Sequence, residues 1–277
     1  MTTSKPDAKI RLIVFDWAGT TVDHGCFAPV VPFVEALGHF GVQVTIDEAR
    51  EPMGLGKRDH LKTLLQMPRI REQWQARHGR AWTEEDLDRA YHEQFVPRQL
   101  ASVRDHSELI PGLLDAVAWL RNRGIKIGTS TGYFGDAARL AYAAAAEQGF
   151  RPDHNVTPDE VATGRPAPWM IYRNMEALGV YPASAVVKIG DTVPDIAEGL
   201  NAGVWSVGVT HTGSDVGLSA KDYAALAPAE REARADRARI RLVNAGAHLV
   251  IPSICDVPAL IATIERWLAE GELPQKY

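Results

Sequence analysis

The sequence predicts an α/β protein: an open parallel sheet covered by helices, with a block of helices inserted after the first strand. Three observations carry this. Short β-branched apolar runs recur along the chain, and several end on Asp, Thr or Gly. Helix-like stretches alternate with them, the pattern of strand–helix–strand units in a parallel sheet. Residues 25–104 lack such runs, and helical signals dominate there.

The first run, residues 10–15 (IRLIVF), is apolar on both alternating faces and stops at Asp16. A strand covered by helices on both sides reads this way. Residues 125–128, 185–190 and 204–209 repeat the pattern, and residues 247–251 do so more weakly. Leu113, Leu114, Val117 and Leu120 precede one strand at helical spacing; Met170, Ile171, Met175 and Leu178 precede another. The Ala-rich stretch 141–146 reads as a helix interior. Within residues 25–104, Thr45 with Glu48 and Thr83 with Asp86 have capping-box spacing, while Leu61 with Leu65 and Leu87, Tyr91, Phe95 share helix faces. The expected division is therefore a core of residues 1–24 and 105–277, split in sequence by an inserted helical domain of residues 25–104.

The 277 residues are 45% hydrophobic, ordinary for a folded chain of one large or two modest domains. No apolar run approaches the ~20 residues of a membrane helix, and the start MTTSKPDAKI lacks the apolar centre of a secretory signal. Cys26 and Cys255 are far apart and form no CxxC, which fits a reducing cytoplasm. With 30 Lys and Arg against 35 Asp and Glu, net charge is −5. The basic residues form no stripe, so neither nucleic acid nor membrane is an expected partner; a small-molecule substrate is.

Ligands of open α/β sheets bind at the carboxyl edge, where Asp16, residues 129–132, Asp191 and Thr210 converge. Asp16 in DWAGTTVD is either a turn residue or a carboxylate nucleophile for phosphorus, a role that needs a cation nearby. Asp191 and Asp195 in GDTVPD are either first-turn acids of a helix or ligands for a hard cation such as Mg²⁺. Thr131 and Gly132 in TSTGY either begin a helix or bind phosphate oxygens. Arg165 is either a solvated loop residue or a partner for a phosphoryl group. Lys57, opening a helix after PMGLG, is either exposed or a desolvated amine with a depressed pKa.

An Asp after the first strand, a Thr after a middle one, a basic residue and then GD…D resembles the haloacid dehalogenase superfamily. That resemblance implies a Rossmann-like core and a helical cap. Phosphatases of that superfamily carry an acid two residues after the nucleophile, where this chain has Ala18, so a sugar-phosphate phosphatase or mutase is the rival reading that Ala18 opposes. A silent scaffold protein is a further rival, opposed by the presence of Asp16, Asp191 and Asp195. DWAGTTVD, GCFAP, PMGLGKRDH, GTSTGY, GRPAPWM and GDTVPD together resemble the phosphonoacetaldehyde hydrolase family over residues 10–248. The family pattern implies P–C hydrolysis of phosphonoacetaldehyde in 2-aminoethylphosphonate degradation, through Asp16 as nucleophile and Lys57 as Schiff-base amine. It implies Mg²⁺ held by Asp16, the Ala18 carbonyl and Asp191, supported by Asp195. Thr131, Gly132, Arg165, Gly54, Met53, His60, Tyr133 and Cys26 would line the substrate site. A cytoplasmic homodimer is also implied.

Overall fold

The computed structural model describes residues 9–274. Residues 1–8 and 275–277, which belong to the expected core range and to the reading of the N-terminus, lie outside the described residues. Six parallel strands form one sheet in the order β3-β2-β1-β4-β5-β6. They are β1 (Leu12–Phe15), β2 (Lys126–Ser130), β3 (His154–Val156), β4 (Val186–Gly190), β5 (Trp205–Val209) and β6 (Leu249–Ile251).

β1 shows why an unbroken apolar run folds as a strand here. Ile13 and Phe15 point into a cluster with Val117, Ile127, Ala141 and Ile261. Leu12 and Val14 point the other way, against Ile171, Val186, Ala202 and Val204. Both faces are buried, so alternation gives no polar positions. The helices that cover the sheet are α7 (Leu113–Asn122), α8 (Gly135–Glu147), α9 (Trp169–Leu178), α10 (Val193–Ala202), α12 (Pro228–Asn244) and α13 (Val257–Glu270), while the short α11 (Ala220–Ala225) buries none of its residues. Among the described residues, no helix is long and apolar enough to cross a membrane.

Between β1 and β2 the chain is helical: α1 (Phe27–His39), α2 (Ile46–Arg50), α3 (Lys57–Gln66), α4 (Pro68–His78), α5 (Glu84–Arg89) and α6 (Val96–Asp105). These helices share a cluster of their own around Phe33, Leu37, Leu61, Leu64, Trp74 and Phe95. Thr45 and Thr83 cap α2 and α5 through capping boxes with Glu48 and Asp86.

Several details depart from the sequence pattern. The first strand starts at Leu12, not at residue 10, and the last is only Leu249–Ile251. β3 gives no signal of its own, being three residues long and carrying His154 and Asn155 at a sheet edge. Leu114 is exposed rather than on the buried face of its helix. Residues Ala90–Phe95, expected to continue an α-helix, are π-helical. Pro97 follows and has no N–H for the i→i−4 bond, so the preceding turn widens.

Candidate active site

The site lies beside β1, whose neighbours β2 and β4 both come later in the chain, a switch point of the kind where α/β sheets open a crevice. Asp16 leaves β1, Thr131 follows β2 and Asp191 follows β4, so three adjacent strands deliver them to one edge. Asp191 stands just before α10, whose N-cap is Thr192; the Asp195 carboxylate accepts the Thr192 N–H (3.2 Å) and hydroxyl. Oxygens of Asp16, Asp191 and Asp195 come within 4.8 Å of one another.

Arg165 is buried in this cluster. It reaches Asp16 Oδ1 (2.7 Å), Asp195 Oδ1 (2.9 Å) and Glu198 Oε2 (3.0 Å), and donates to the Ser130 carbonyl (2.8 Å). Lys188, on β4 and fully buried, meets Asp195 Oδ1 (2.8 Å), Glu198 Oε2 (3.4 Å) and the Ser130 hydroxyl (3.0 Å). Glu198 on α10 thus ties the two cations together. Asp191 is held by the Ser214 N–H (2.8 Å), the Thr20 hydroxyl (3.3 Å) and the Cys26 thiol (3.4 Å).

Four buried carboxylates face two paired cations. Burial and the nearby Asp195 push Asp16 above the usual carboxylate range despite Arg165 and Lys188. Burial, Asp16 and Asp195 push Asp191 far up. Burial also acts against Asp195, but Arg165 and Lys188 outweigh it and hold that acid low. The excess negative charge on oxygen ligands fits a hard divalent cation such as Mg²⁺, with Asp16 and Asp191 as direct ligands. Asp195 is occupied by Arg165, Lys188 and Thr192, so it fits the supporting place.

The helical segment supplies the opposite wall. A small, narrow cavity is lined by Asp16, Ala18, Cys26, Pro29, Met53, Gly54, Lys57, Thr131, Gly132, Tyr133, Arg165 and Thr192. All twelve belong to the six motifs quoted above; together they bring Asp16 and Lys57 to one space. Lys57, first residue of α3, is buried, and Nζ stands 5.1 Å from the Tyr133 ring centroid. Among the described residues no hydrogen bond or ion pair holds Nζ. Burial lowers its pKa to about 8, although Asp16 and Cys26 pull upward.

Gly54 and Gly132 allow the two walls to meet. A Cβ on Gly54 (φ +96°) would lie 2.1 Å from Thr192 Oγ1, and one on Gly132 would lie 2.6 Å from the Leu55 carbonyl oxygen. Of the residues expected to line the substrate site, His60 alone is off the cavity wall; the expected metal ligands Asp191 and Asp195 also stand behind it. Its ring stacks on Phe33 (3.7 Å between centroids), and Nε2 lies 2.9 Å from the Ala49 carbonyl. Tyr133 and Cys26 line the cavity, and burial raises both of their pKa values.

Sequence reading missed Lys188 and Glu198, whereas Ser130 lies inside the strand end 129–132 that it marked. Lys188 had a signal: a lysine at the centre of the apolar run AVVKIG is charged where both strand faces are covered. Glu198 had none, because an acid on an amphipathic helix reads as solvent-facing.

Residues 10–203 match the family of haloacid dehalogenase-like hydrolases. Phosphonoacetaldehyde hydrolase of Hahella chejuensis is 45% identical over 265 residues, 96% of this chain and 90% of that one. The enzyme of the same name from Syntrophobacter fumaroxidans is 46% identical over 265 residues, 96% of this chain and 95% of its own. The crystal structure of a phosphonoacetaldehyde hydrolase-like protein from Oleispira antarctica superposes with a TM-score of 0.95 at 40% identity, covering 99% of both chains. Such identity over nearly the whole length, with the cluster above on the shared fold, makes this chain a member of the phosphonoacetaldehyde hydrolase family of haloacid dehalogenase-like hydrolases.

Proposed function

We propose that the protein hydrolyses the P–C bond of phosphonoacetaldehyde to acetaldehyde and phosphate, through a Lys57 imine and an Asp16 aspartyl phosphate. One observation carries the reading: a buried amine without a hydrogen-bond partner among the described residues shares a cavity with a carboxylate held by Arg165, and Ala18 stands where a proton-donating acid would serve an oxygen leaving group.

The chemistry follows from what the leaving group needs. Breaking a P–C bond leaves an electron pair on carbon. The neutral Lys57 amine adds to the aldehyde, one proton is taken up from solvent and water departs, giving a protonated imine one carbon away. Asp16 attacks phosphorus with a carboxylate oxygen, the P–C bond breaks, and its electron pair forms a C=C bond while the imine nitrogen becomes neutral. Protonation of this enamine at carbon and hydrolysis of the C=N bond return Lys57 and acetaldehyde. Water then cleaves the acyl phosphate. No step protonates a leaving oxygen at P–C cleavage, which accounts for Ala18.

Arg165 and Thr131 would offset charge on the phosphoryl oxygens, with Gly132 leaving room for them. Mg²⁺ held by Asp16, the Ala18 carbonyl and Asp191 would reduce repulsion between the carboxylate and the phosphonate dianion, with Asp195 in support. Met53, Gly54, Tyr133 and Cys26 would shape the space around the aldehyde and exclude water. His60 would act from behind Lys57 rather than on substrate. Residues 25–104 would serve as a cap over a core of residues 1–24 and 105–277. A reaction that deaminates 2-aminoethylphosphonate would supply the aldehyde, in a cytoplasmic homodimer. Two free cysteines, one buried and one exposed, support a reducing compartment.

The test is release of acetaldehyde and inorganic phosphate from phosphonoacetaldehyde with and without Mg²⁺. Equimolar products only with Mg²⁺ support the reading. Turnover of a sugar phosphate with none of the phosphonate overturns it.

A further inference from the structure

Arg50, last residue of α2, carries a buried guanidinium with no carboxylate in salt-bridge reach among the described residues. Its donors go to main chain instead. Nη1 donates to the carbonyls of Gly25 (2.7 Å) and Ser214 (3.1 Å) and to the Ser214 hydroxyl (3.4 Å), and Nη2 approaches the Gly217 carbonyl (3.5 Å). The group lies over the Phe27 ring, 5.5 Å from its centroid. Gly217 (φ +63°) has no Cβ; one built there would stand 3.1 Å from the guanidinium.

These contacts join three pieces. Gly25 lies where the chain leaves the sheet for the helical segment. Residues 212–217 form the loop after β5. Arg50 belongs to the helical segment itself, four residues before Gly54 and seven before Lys57. The Ser214 N–H donates to Asp191 Oδ2 (2.8 Å), and a Cβ on Gly213 would press 2.7 Å from Asp191 Cβ. The peptide that accepts from Arg50 therefore belongs to the residue that orients Asp191. A buried cation bonded to carbonyls rather than to a carboxylate is a poor device for stability alone, because only the more distant charges of Asp23 and Asp215 offset its desolvation. It is a good device for fixing a loop, since five donors in a rigid fork define several carbonyl positions at once.

We propose that Arg50 is a positioning residue: seated across residues 212–217, it holds the Ser214 N–H on Asp191 and so couples the seating of the Lys57-bearing segment to the geometry of the metal-binding carboxylates. The proposal rests on the reading above for the identity of the reaction, but its consequence for cation binding stands apart from turnover. Groups that orient metal ligands change affinity by about 10–100-fold when removed.

The experiment compares wild type with Arg50→Ala and Arg50→Lys, using MgCl₂ as the calorimetric probe without substrate, and trypsin cleavage of the 25–104 segment with and without Mg²⁺. Expected are a Mg²⁺ dissociation constant raised about tenfold or more in Arg50→Ala, loss of Mg²⁺-dependent protection, and partial restoration of both by guanidinium ion. In phosphonoacetaldehyde turnover, kcat should fall more than KM rises. Mg²⁺ affinity and protease protection within about twofold of wild type in a folded Arg50→Ala protein would overturn the proposal. Should Arg50→Ala not fold, Arg50→Lys decides by the same criterion, since it keeps the charge and loses the fork. If wild type fails to cleave the phosphonate, the reading of function falls while the Mg²⁺ and protease arms still decide the role of Arg50.

Discussion

Arg165 Nη2 stands 2.7 Å from Asp16 Oδ1, with both side chains buried. The same guanidinium also meets Asp195 and Glu198, so it fixes the carboxylate proposed as nucleophile relative to the sheet. Removing it leaves three buried acids short of a counter-charge. Arg165→Ala should lower stability by about 3–5 kcal/mol and kcat by about 10²–10³-fold, read from thermal melts and steady-state kinetics. Arg165→Lys should recover much of the stability and little of the rate, because an ammonium cannot span the same acceptors.

The Lys57 pKa of about 8 makes a pH prediction. The nucleophile is the neutral amine, whose fraction grows as pH rises toward that value. Below about pH 8, kcat/KM should therefore fall about tenfold per pH unit, and above it the limb should level off. An amine left at its ordinary 10.5 would keep rising through that range. A profile flat from roughly pH 6 to 9 would contradict amine attack as a contributing step.

Gly54 (φ +96°) places its backbone against Thr192, with space for no side chain. Gly54→Ala should leave each hydrophobic cluster intact but hold the two walls apart. A misplacement of about 1 Å at reacting groups costs on the order of 10²-fold in rate. The expected outcome is a protein with near-normal far-UV circular dichroism and a kcat lowered by about that factor. Full activity would mean that the close approach of Gly54 and Thr192 is not needed for turnover.

Much of this site was legible because its chemistry sits at strand ends. Asp16 and Asp191 each follow an apolar run directly, and that adjacency alone sends both to one edge of a parallel sheet. Lys57 was legible from the glycines before it, which break the helix pattern, although its burial was not. Glu198 and Arg50 became visible only with the tertiary fold, since their partners lie 33 residues away at Arg165 and 164 at Ser214; Lys188 stood out in AVVKIG, but its contact with Ser130, 58 residues away, did not. His60 shares a face with Lys57 by spacing, yet packing against Phe33 decides where its ring lies. The π-helical turn at Ala90–Phe95 depends on where Pro97 falls in the hydrogen-bond ladder, which apolar spacing does not register.

Asp191 is crowded by Asp16 and Asp195 in a buried setting. Asp191→Asn should relieve that repulsion and raise the melting temperature of the metal-free protein. It should also abolish the further rise that Mg²⁺ gives wild type, since a cation that binds only the folded state stabilises it by mass action. Thermal melts over a MgCl₂ series measure both effects, and an unchanged Mg²⁺ response would remove Asp191 from the ligand set.

The central claim is that Lys57 becomes covalently joined to the substrate carbon. Borohydride added during turnover of phosphonoacetaldehyde reduces an imine to a stable secondary amine, which peptide mass spectrometry locates. The account predicts loss of activity together with an ethyl or phosphonoethyl group on Lys57, absent when substrate is omitted. Continued turnover with Lys57 unmodified, or P–C cleavage by Lys57→Ala at a near-normal rate, would contradict it.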